Sequence, residues 1–566
     1  MPIKSAFSLL LSVLASAALA MATSNNSAPP RIFFTDLISG PNSGGLGNNG
    51  TILTIYGKRF GDPGEGSTVT VGGGLVAKYL LWSDTKIAVE IGSGASTGSV
   101  VVHTLDRGDS NGSPFTVRPG NIHCVSTSGN DSNTGTFPSS CWATLIKAKN
   151  AMVAGDITYA LDGVKQNTLD GAKSTLFITT SGTQTLPIAL VAFPGAKVRI
   201  GIPTWGDPNN PIRDGVRIGD TSHWVLAGMF LQGIQALNLK GVTNDWRVIG
   251  NDMTCPNASG EMYPPYTADI GFEGVACTLS VNATNLAYFG NNVHDTAQNC
   301  AAGLTINGGN GNDACKLYHA VYFSTSSIHL DIGWNTIAPN GGGCRALQFH
   351  STGATDQFDL SVHDNVIHDS VCDGLNFATV DPSLGVVQAF NNVIYNAGMG
   401  PDPGGQFSNY ACIFSADITN AGKSGTGAIE IYNNTLFNCG SRPSSANSGA
   451  VVKNGAVAHL TMHLRNNIVD QTLAPDGTAE NYVAGALSQI DGTNNLWFGV
   501  GSAPSGFTNS LNADPQFFNL SQFNFHLQSS SPAIDAGVDI PGLLTDIDGI
   551  VRTPGDFDLG AYQSSE

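Results

Sequence analysis

The stretch HDNVIH at residues 363–368 decides the fold, because its pattern returns along the chain. Short alternating apolar runs flank a central asparagine, which predicts two strands joined at a bend. The pattern recurs as IGNDM (249–253), GNNVH (290–294), GWNTI (333–337), FNNVIY (390–395), YNNTLF (432–437), RNNIVD (465–470) and TNNLWF (493–498). A unit that cannot bury its own apolar face must stack on its neighbours, so the sequence predicts a solenoid.

The asparagine at each bend is expected to hold the scaffold rather than to carry chemistry. Asn tolerates left-handed backbone, and its amide can bond to the Asn of the next coil. We assign these positions to Asn251, Asn292, Asn335, Asn365, Asn392, Asn434, Asn467 and Asn495.

The composition favours turn-rich β-structure with little helix. The 566 residues include 69 Gly, and only 12% are charged. The segment around Ala143–Ala154 alone has a helical pattern after the N-terminus, and a helix near Trp142–Met152 would cap the first coil.

The first 22 residues have the pattern of a secretory signal. Lys4 precedes an apolar core at residues 7–19, and small residues ending at Ala20 or Ala22 offer a cleavage site. That core is too short to favour a spanning helix, and no later segment is a membrane span. The mature chain is therefore expected to be secreted or held at the cell surface, after a linker at residues 23–30.

Ten cysteines suit disulfides in an oxidising compartment. Pairing in sequence order would give Cys124–Cys141, Cys255–Cys277, Cys300–Cys315, Cys344–Cys372 and Cys412–Cys439, although sequence does not fix connectivity. Zinc is disfavoured because no CxxC pair occurs.

The formal net charge of −18 argues against nucleic acid or an anionic membrane as partner. An acidic polymer would need a bridging cation. We expect a monomer whose partner is a polysaccharide.

Residues 31–118 resemble an IPT/TIG immunoglobulin-like domain. The signs are ISGPNSGGLGNNGTILTIYGKRFG (38–61), the VTVGG hairpin (69–73) and a last strand ending in SPFTV (113–117). The resemblance implies a β-sandwich that acts as a spacer or glycan-proximal module.

Residues 119–500 resemble a secreted right-handed parallel β-helix. The tail at 501–566 resembles the terminal segment of such proteins, in ADPQF (513–517), FHLQSSSPAIDAG (525–537) and DIDGIVRTPGDFDLGAY (546–562), and is expected to close the last coil. The expected fold is all-β: an immunoglobulin-like sandwich followed by a right-handed parallel β-helix. In the tail, Asp546, Asp548, Asp556 and Asp558 could bind Ca²⁺, or pair with Arg552 and cap turns.

Ionisable side chains concentrate between residues 294 and 376. Equivalent positions on successive coils stack about 4.8 Å apart, so neighbouring coils can line one groove. The candidate catalytic residues are Lys316, His319, Tyr322, Arg345 and His350. The candidate substrate-binding residues are His294, Asp295, His368, Asp369 and Asp373.

This region resembles β-helix polysaccharide lyases, loosely the chondroitinase B and alginate lyase family, in which a Lys and an Arg lie on successive coils. The resemblance carries over to Lys316 and to the Arg345/His350 segment only. It implies β-elimination on a uronic acid: Arg345 neutralises the carboxylate, Lys316 or His319 takes the proton, and His350 or Tyr322 protonates the leaving oxygen. The family's paired glutamates for calcium are missing, with only Asp313 close by.

Two other functions stay open. A glycoside hydrolase would use two carboxylates among Asp295, Asp364, Asp369, Asp373 and Glu273, although the NTDG, GHG and WxDH signatures are absent. A non-catalytic adhesion protein would use the helix as a rigid stalk. A metal site at His294 and His368 has no supporting spacing, and any single histidine here could be purely structural.

Overall fold

A computed structural model describes residues 28–64, 66–202, 212–256, 276–297, 318–340, 343–351, 357–400, 410–416, 425–440, 448–454, 460–472, 481–500 and 503–564. The predicted signal peptide, Lys316, Asp313, Glu273 and the predicted Cys300–Cys315 bridge lie outside these residues. Among the described residues, no helix is long and apolar enough to cross a membrane.

The N-terminal part is a sandwich of two sheets, as predicted. The first sheet has the strand order β1, β3, β7, β6, and the second β2, β10, β8, β4, β5 with β9 added to β8. Their bounds are β1 Arg31–Thr35, β2 Ser39–Gly40, β3 Ile52–Lys58, β4 Thr68–Val71, β5 Gly74–Leu75, β6 Lys78–Trp82, β7 Lys86–Glu90, β8 Gly98–Thr104, β9 Gly108–Asp109 and β10 Ser113–Val117, with a 3-10 turn at Leu46–Asn48.

The rest of the chain winds through three parallel sheets, which we call A, B and C. Sheet A contains β11 Ile122–Val125, β12 Ile157–Ala160, β15 Ile188–Ala192, β18 Thr221–Ala227, β21 Thr243–Ile249, β24 Ala283–Phe289, β27 Ile328–Gly333, β30 Leu360–His363, β33 Val387–Phe390, β36 Gly427–Tyr432, β39 Leu460–Arg465, β42 Ile490–Thr493 and β44 Phe507–Thr508. Sheet B contains β13 Lys165–Gln166, β16 Arg199–Ile200, β19 Phe230–Gln232, β22 Asp252–Cys255, β25 Asn292–Thr296, β28 Thr336–Ala338, β31 Val366–Ser370, β34 Val393–Ala397, β37 Thr435–Phe437, β40 Ile468–Asp470, β43 Leu496–Phe498 and β45 Leu511–Asn512. Sheet C contains β14 Ser174–Ile178, β17 Asp214–Ile218, β20 Gln235–Leu239, β23 Ala276–Val281, β26 His319–Ser324, β29 Leu347–His350, β32 Leu375–Phe377, β35 Tyr410–Ser415, β38 Ser448–Lys453 and β41 Val483–Gly485, and a 3-10 turn at Leu487–Gln489 follows it. Each full coil runs from A to B to C, which confirms the predicted β-helix.

Inward side chains of the three sheets form one continuous apolar core. On sheet C, for example, Phe323, Phe349 and Phe377 stack from coil to coil with ring centroids 5.4 Å apart. Because side chains alternate along a strand, the residues directly before and after each of these phenylalanines point out of the helix.

A buried asparagine ladder follows the bend between sheets A and B. The side-chain oxygen of Asn392 accepts hydrogen bonds from the backbone and side-chain nitrogens of Asn365, at 3.1 and 3.0 Å. The same bonds link all eight ladder residues, Asn251, Asn291, Asn335, Asn365, Asn392, Asn434, Asn467 and Asn495.

Two details of the predicted ladder are wrong. In GNNVH the ladder residue is Asn291, whereas Asn292 is exposed and starts the next strand. The left-handed conformation belongs to the residue before each ladder asparagine, and these are Gly250, Gly290, Trp334, Asp364, Asn391, Asn433, Asn466 and Asn494. Since Gly290 takes that place in its coil, the ladder position falls on the first asparagine of that doublet.

The predicted helix caps the first coil, as α1 Leu145–Ala151. Thr144 is its N-cap, and its hydroxyl accepts a hydrogen bond from the backbone of Lys147 at 3.0 Å. Four predicted disulfides are confirmed, namely Cys124–Cys141, Cys255–Cys277, Cys344–Cys372 and Cys412–Cys439.

The sandwich packs on the outer face of sheet A. Its core merges with outward residues of the first coils, including Tyr159, Val191 and Phe289. The Tyr159 hydroxyl donates to the carbonyl of Ile52 at 2.8 Å, and Arg247 donates to the carbonyl of Thr35 at 2.7 Å. The two domains therefore share one apolar interface with buried polar contacts.

The tail adds the last rungs of sheets A and B and then runs back along the bend between them. It contains a hairpin of β46 Phe517–Asn519 and β47 Asn524–Leu527 around a 3-10 turn at Leu520–Gln522. The predicted role of closing the last coil thus describes only its first part.

Candidate functional site

The outer face of sheet C gathers five of the predicted site residues. Backbone bonds from Ala320 to Arg345 (3.0 Å) and from Ala346 to Asp373 (3.1 Å) hold three successive coils in register. Two rows of side chains result, one of His319, Arg345 and Asp373 and the other of Tyr322, Gln348 and Asn376, while His350 lies beside Ser324. We call these seven residues, without Ser324, the sheet C cluster.

Direct hydrogen bonds connect the cluster. The Tyr322 hydroxyl and His350 Nδ1 are 3.0 Å apart. Arg345 Nε donates to Asp373 Oδ2 at 3.0 Å, and its Nη1 donates to Gln348 Oε1 at 3.3 Å. The Arg345 charge is thus balanced by a carboxylate on the next coil.

Burial keeps the two histidines of the cluster neutral. Burial, followed by the positive charge of Arg345, lowers the pKa of His350 and holds that of His319 well below its usual value. Burial also raises the pKa of the Tyr322 phenol, so Tyr322 can donate its proton to His350 Nδ1 at neutral pH. The site therefore offers neutral imidazoles next to a fixed guanidinium.

This environment sets His319 and His350 apart from the other histidines. Nine of the eleven described histidines lie within ion-pair distance of a carboxylate, namely His103, His123, His223, His294, His329, His363, His368, His463 and His526. A neutral imidazole can accept a proton, whereas the two carboxylates beside His363 raise its pKa and favour the cation. The two exceptions lie together on sheet C.

Several buried polar atoms of the cluster have no partner among the described residues. They are His319 Nδ1, Asp373 Oδ1 and Asn376 Oδ1. Leaving such a group unpaired costs about 1–3 kcal/mol, so each is a point where a ligand atom could be bound. The cluster is largely covered, since His319 is 3% and Asp373 0% exposed, and Arg345 and His350 are its more accessible members.

The predicted substrate-binding residues do not all join this cluster. Asp373 does, but His294, Asp295, His368 and Asp369 lie on sheet B, a different face of the helix. There His294 bonds Asp295 and Asp252 at 2.8 and 2.9 Å. The prediction of a single groove is wrong in this respect, because β25 belongs to sheet B and the next strand, β26, belongs to sheet C.

The structure gives no support to a metal site at His294 and His368. One intervening coil separates them, with Ala338 in register between the two. No group of three metal-binding side chains occurs among the described residues.

A carboxylate pair for hydrolysis is also missing from the described part of sheet C. Asp214 is the one carboxylate within the described strands of this sheet, and it lies five strands from Asp373 in the sheet order. At about 4.8 Å a strand this far exceeds the roughly 6.5–9.5 Å of an inverting pair. Asp295 and Asp369 lie on sheet B, and Asp364 at the bend between sheets A and B.

Two of the predicted acidic residues of the tail, Asp546 and Asp558, accept backbone hydrogen bonds, and Asp548 pairs with Lys58 and His526. Asp546 Oδ1 accepts backbone hydrogen bonds from Asp548 and Ile550, at 2.9 and 2.6 Å, and Asp558 accepts from Asp535 at 2.8 Å. Arg552 donates to the carbonyls of Asp558 and Gly560 rather than to a carboxylate, so the predicted ion pairs are wrong. All four carboxylate oxygens of Asp546 and Asp558 have hydrogen-bond partners, so the structure gives the predicted calcium site no support.

Sequence reasoning missed Gln348 and Asn376. Both lie in register with Tyr322 and bond to Arg345 and Asp373 respectively. Their spacing is the available signal: each follows its charged neighbour by three residues, in RALQ (345–348) and DGLN (373–376).

Comparisons with known proteins agree with this architecture. The family model for the IPT/TIG domain matches residues 36–118. The solved structure of pectate lyase Pel9A is similar, with a TM-score of 0.51, 12% identity, and coverage of 79% of this chain and 97% of that chain.

Two further structures align more loosely. A rhamnogalacturonan lyase has a TM-score of 0.33 at 14% identity, covering 72% of this chain and 95% of its own. The family 28 exopolygalacturonase of Yersinia enterocolitica has a TM-score of 0.37 at 10% identity, covering 86% and 98%.

Among curated protein sequences there is no significant match. At these identities the structural likeness establishes the fold and not the activity. The chain is an IPT/TIG domain joined to a right-handed parallel β-helix of the kind seen in pectate lyase Pel9A.

Proposed function

We propose that this chain is a secreted polysaccharide lyase that cleaves a uronic-acid polymer by β-elimination on the outer face of sheet C. The observation that carries the proposal is the contrast among the histidines: His319 and His350 lack a carboxylate partner among the described residues and have lowered pKa values. Titratable groups with such environments cluster at functional sites.

The proposed chemistry balances within this set of residues. Arg345 neutralises the substrate carboxylate, which acidifies the proton on the adjacent carbon. His319 or Lys316 takes that proton, the bond to the leaving glycosidic oxygen breaks as the double bond forms, and Tyr322 or His350 returns a proton to that oxygen.

The Arg345–Asp373 contact shapes this role. Asp373 accepts through Oδ2 from Nε, and Gln348 accepts from Nη1, while no described residue accepts from Nη2. The contacts fix the plane of the guanidinium, and Nη2 is left to meet a carboxylate. A preorganised donor of this kind costs no rearrangement during the reaction.

The test is cleavage of uronic-acid polysaccharides, followed by the ultraviolet absorbance of the unsaturated product. We expect Arg345→Met and His350→Gln each to lose at least about 100-fold in kcat/KM. His368→Gln is the matched control, since His368 is a half-buried histidine on sheet B with an aspartate partner, and it should retain activity. Equal activity of His350→Gln and the control would overturn the assignment.

Burial favours a second candidate, a non-catalytic glycan-binding protein. His319, Asp373 and Asn376 are 3%, 0% and 1% exposed, which also fits a polar network that only holds the coils in register. Absence of cleavage of any uronic-acid polymer, together with binding of the same polymers, would favour this candidate.

A further inference from the structure

A cavity of about 400 Å³ lies where the IPT/TIG domain, the bend between sheets A and B, and the tail meet. Tyr56 and Lys86 come from the domain, Trp334 and Asp364 from the bend, and Asp548 and Tyr562 from the tail. Its size and its aromatic walls with few charged groups are those of a small-molecule site. It lies on another face of the helix than the sheet C cluster.

Trp334 is the exceptional residue of this cavity. It occupies the left-handed position before a ladder asparagine, with φ at 56°, where the other seven coils have Gly, Asp or Asn. Left-handed backbone is unfavourable for a bulky side chain, by about 1–2 kcal/mol, and such outliers are concentrated at functional sites. The indole stacks on Phe33 with centroids 5.6 Å apart and stays half-buried at the cavity wall.

Lys86 supplies a positive charge that forms no ion pair with a described carboxylate. Its ammonium lies over the Tyr56 ring, 4.8 Å from the centroid, and no described carboxylate is within ion-pair distance. Burial lowers its pKa, and Asp36 opposes part of that shift. A bound anion would restore the favourable environment of the ammonium.

The other charged groups of the cavity are already paired. Lys58 binds Asp548. Asp364 accepts from His363 Nδ1 at 2.7 Å and from Asn391 at 3.1 Å. Lys86 is therefore the charge that a ligand would meet.

We propose that this cavity binds one uronate residue of a saccharide, with its ring against Trp334 and its carboxylate on the Lys86 ammonium. The aromatic wall suits the apolar face of a sugar ring, and the cation selects an acidic sugar over a neutral one. The choice of a uronate among carboxylated ligands rests on the proposed function. The site would hold the polymer beside the domain, away from the sheet C cluster.

The test is site-resolved hydrogen exchange of the full chain with galacturonic acid, with glucose as the neutral comparison. We expect galacturonic acid to protect β7 and the segment around Trp334, and glucose to protect them at least tenfold less at equal concentration. Lys86→Met keeps the stem over Tyr56 but removes the charge, so it should weaken the galacturonate effect about tenfold. Lys78→Met, at an exposed lysine of β6, is the matched control and should not weaken it.

A second variant separates the indole from the cation. Trp334→Asn places at the bend the residue found there in four other coils, so the ladder should persist while protection by the sugar is lost. Protection that is unchanged in Lys86→Met, equal for both sugars, or absent at β7 with wild type would overturn the cavity site.

Arg345→Met keeps this experiment independent of the proposed lyase. It should lose cleavage yet retain protection at β7. For the wild-type chain, protection at β7 without cleavage of any polymer would support the cavity site and overturn the lyase, whereas cleavage without that protection would do the reverse.

Discussion

At the scale of single residues, position relative to carboxylates decides what each histidine can do. His363 is buried between Asp331 and Asp364, at 2.8 and 2.7 Å, and these carboxylates raise its pKa to about 9 despite its burial. His319 and His350 are buried beside Arg345 instead, and the result is the opposite. The same residue type is thus a structural cation on sheet A and a neutral acceptor on sheet C.

The His363 environment makes stability depend on pH. The pKa of His363 in the folded chain is above the ordinary 6.5. Its contribution to the free energy of unfolding is therefore fully present below about pH 6.5 and is lost as pH rises through about 9. From that shift we expect a loss of roughly 3 kcal/mol in the free energy of unfolding. Chemical unfolding measured across this range checks it.

Two variants bear on that pH dependence. His363→Gln should be less stable at pH 6.5 and should show a flatter dependence on pH. Asp331→Asn removes one of the two carboxylate partners of His363 and should flatten the dependence to a smaller extent. An unchanged slope in His363→Gln would contradict the assignment.

The ladder asparagines should be far less tolerant of change than their neighbours. Asn392 is fully buried, and besides its bonds to Asn365 it donates to Val362 at 2.8 Å and to Asn434 at 3.0 Å. Asn392→Ala leaves these partners unpaired, so we expect a loss of about 2–3 kcal/mol.

Asn292→Ala is the matched control for the ladder. Asn292 sits next to a ladder residue but is exposed, so the change should cost under about 0.5 kcal/mol in a thermal unfolding comparison. Similar losses for the two variants would mean that the ladder bonds contribute little.

At the scale of elements, the sequence predicts strands and bends well because their signals are local. Alternation, the recurring asparagine and the helix near Trp142 all come from neighbouring residues, and each is confirmed in type. What a short window cannot give is which sheet a strand joins. His294 and His319 are close in sequence but lie on sheets B and C, because consecutive strands of one coil belong to different sheets.

The grouping of side chains in the sheet C cluster was predicted in part for the same reason. Arg345 and Asp373 lie two residues before the regularly spaced strands β29 and β32, and His350 ends β29, so their convergence with His319 and Tyr322 could be anticipated. Gln348 and Asn376 were missed because uncharged amides on a strand carry no chemical signal of their own until register places them beside an arginine and an aspartate.

The Cys344–Cys372 disulfide should matter for the site as well as for stability. It joins the residues that directly precede Arg345 and Asp373, and so fixes these two coils against each other. Replacing both cysteines by Ala should cost about 3 kcal/mol through the unfolded chain. We also expect lyase activity, the proposed function, to fall at least tenfold.

The Cys412–Cys439 pair provides the control for this effect. It closes a loop of 27 residues against 28 for Cys344–Cys372, so its removal should destabilise the chain by a similar amount. It does not flank the cluster and should leave activity nearly intact at a temperature where both variants are folded. Equal losses of activity in the two variants would show that the Cys344–Cys372 disulfide affects activity only through the stability of the chain.

At the scale of the whole molecule, the tail ties the two domains together. Side-chain amides of Asn391 and Asn494 donate to tail carbonyls at Thr545 and Ala536, at 2.8 and 2.9 Å. A few residues further along the tail, the carbonyls of Asp548 and Gly549 accept hydrogen bonds from Arg59 of the IPT/TIG domain, at 2.7 and 2.8 Å. The left-handed asparagines thus serve the bend with their backbone and the tail with their side chains.

The domain is held by hydrogen bonds to the tail and to sheet A, including those of Arg59 and Arg247, and by the shared apolar interface. Changing both arginines to Met keeps much of their apolar stems but removes the hydrogen bonds to the tail and to Thr35. We expect faster hydrogen exchange in β1 and at residues 547–549, with the ladder coils unchanged. Each single variant should show a smaller effect, because the other contacts remain. If the double variant keeps the wild-type exchange in β1, the two arginines contribute little and the remaining contacts, including the shared apolar interface, hold the domain in place.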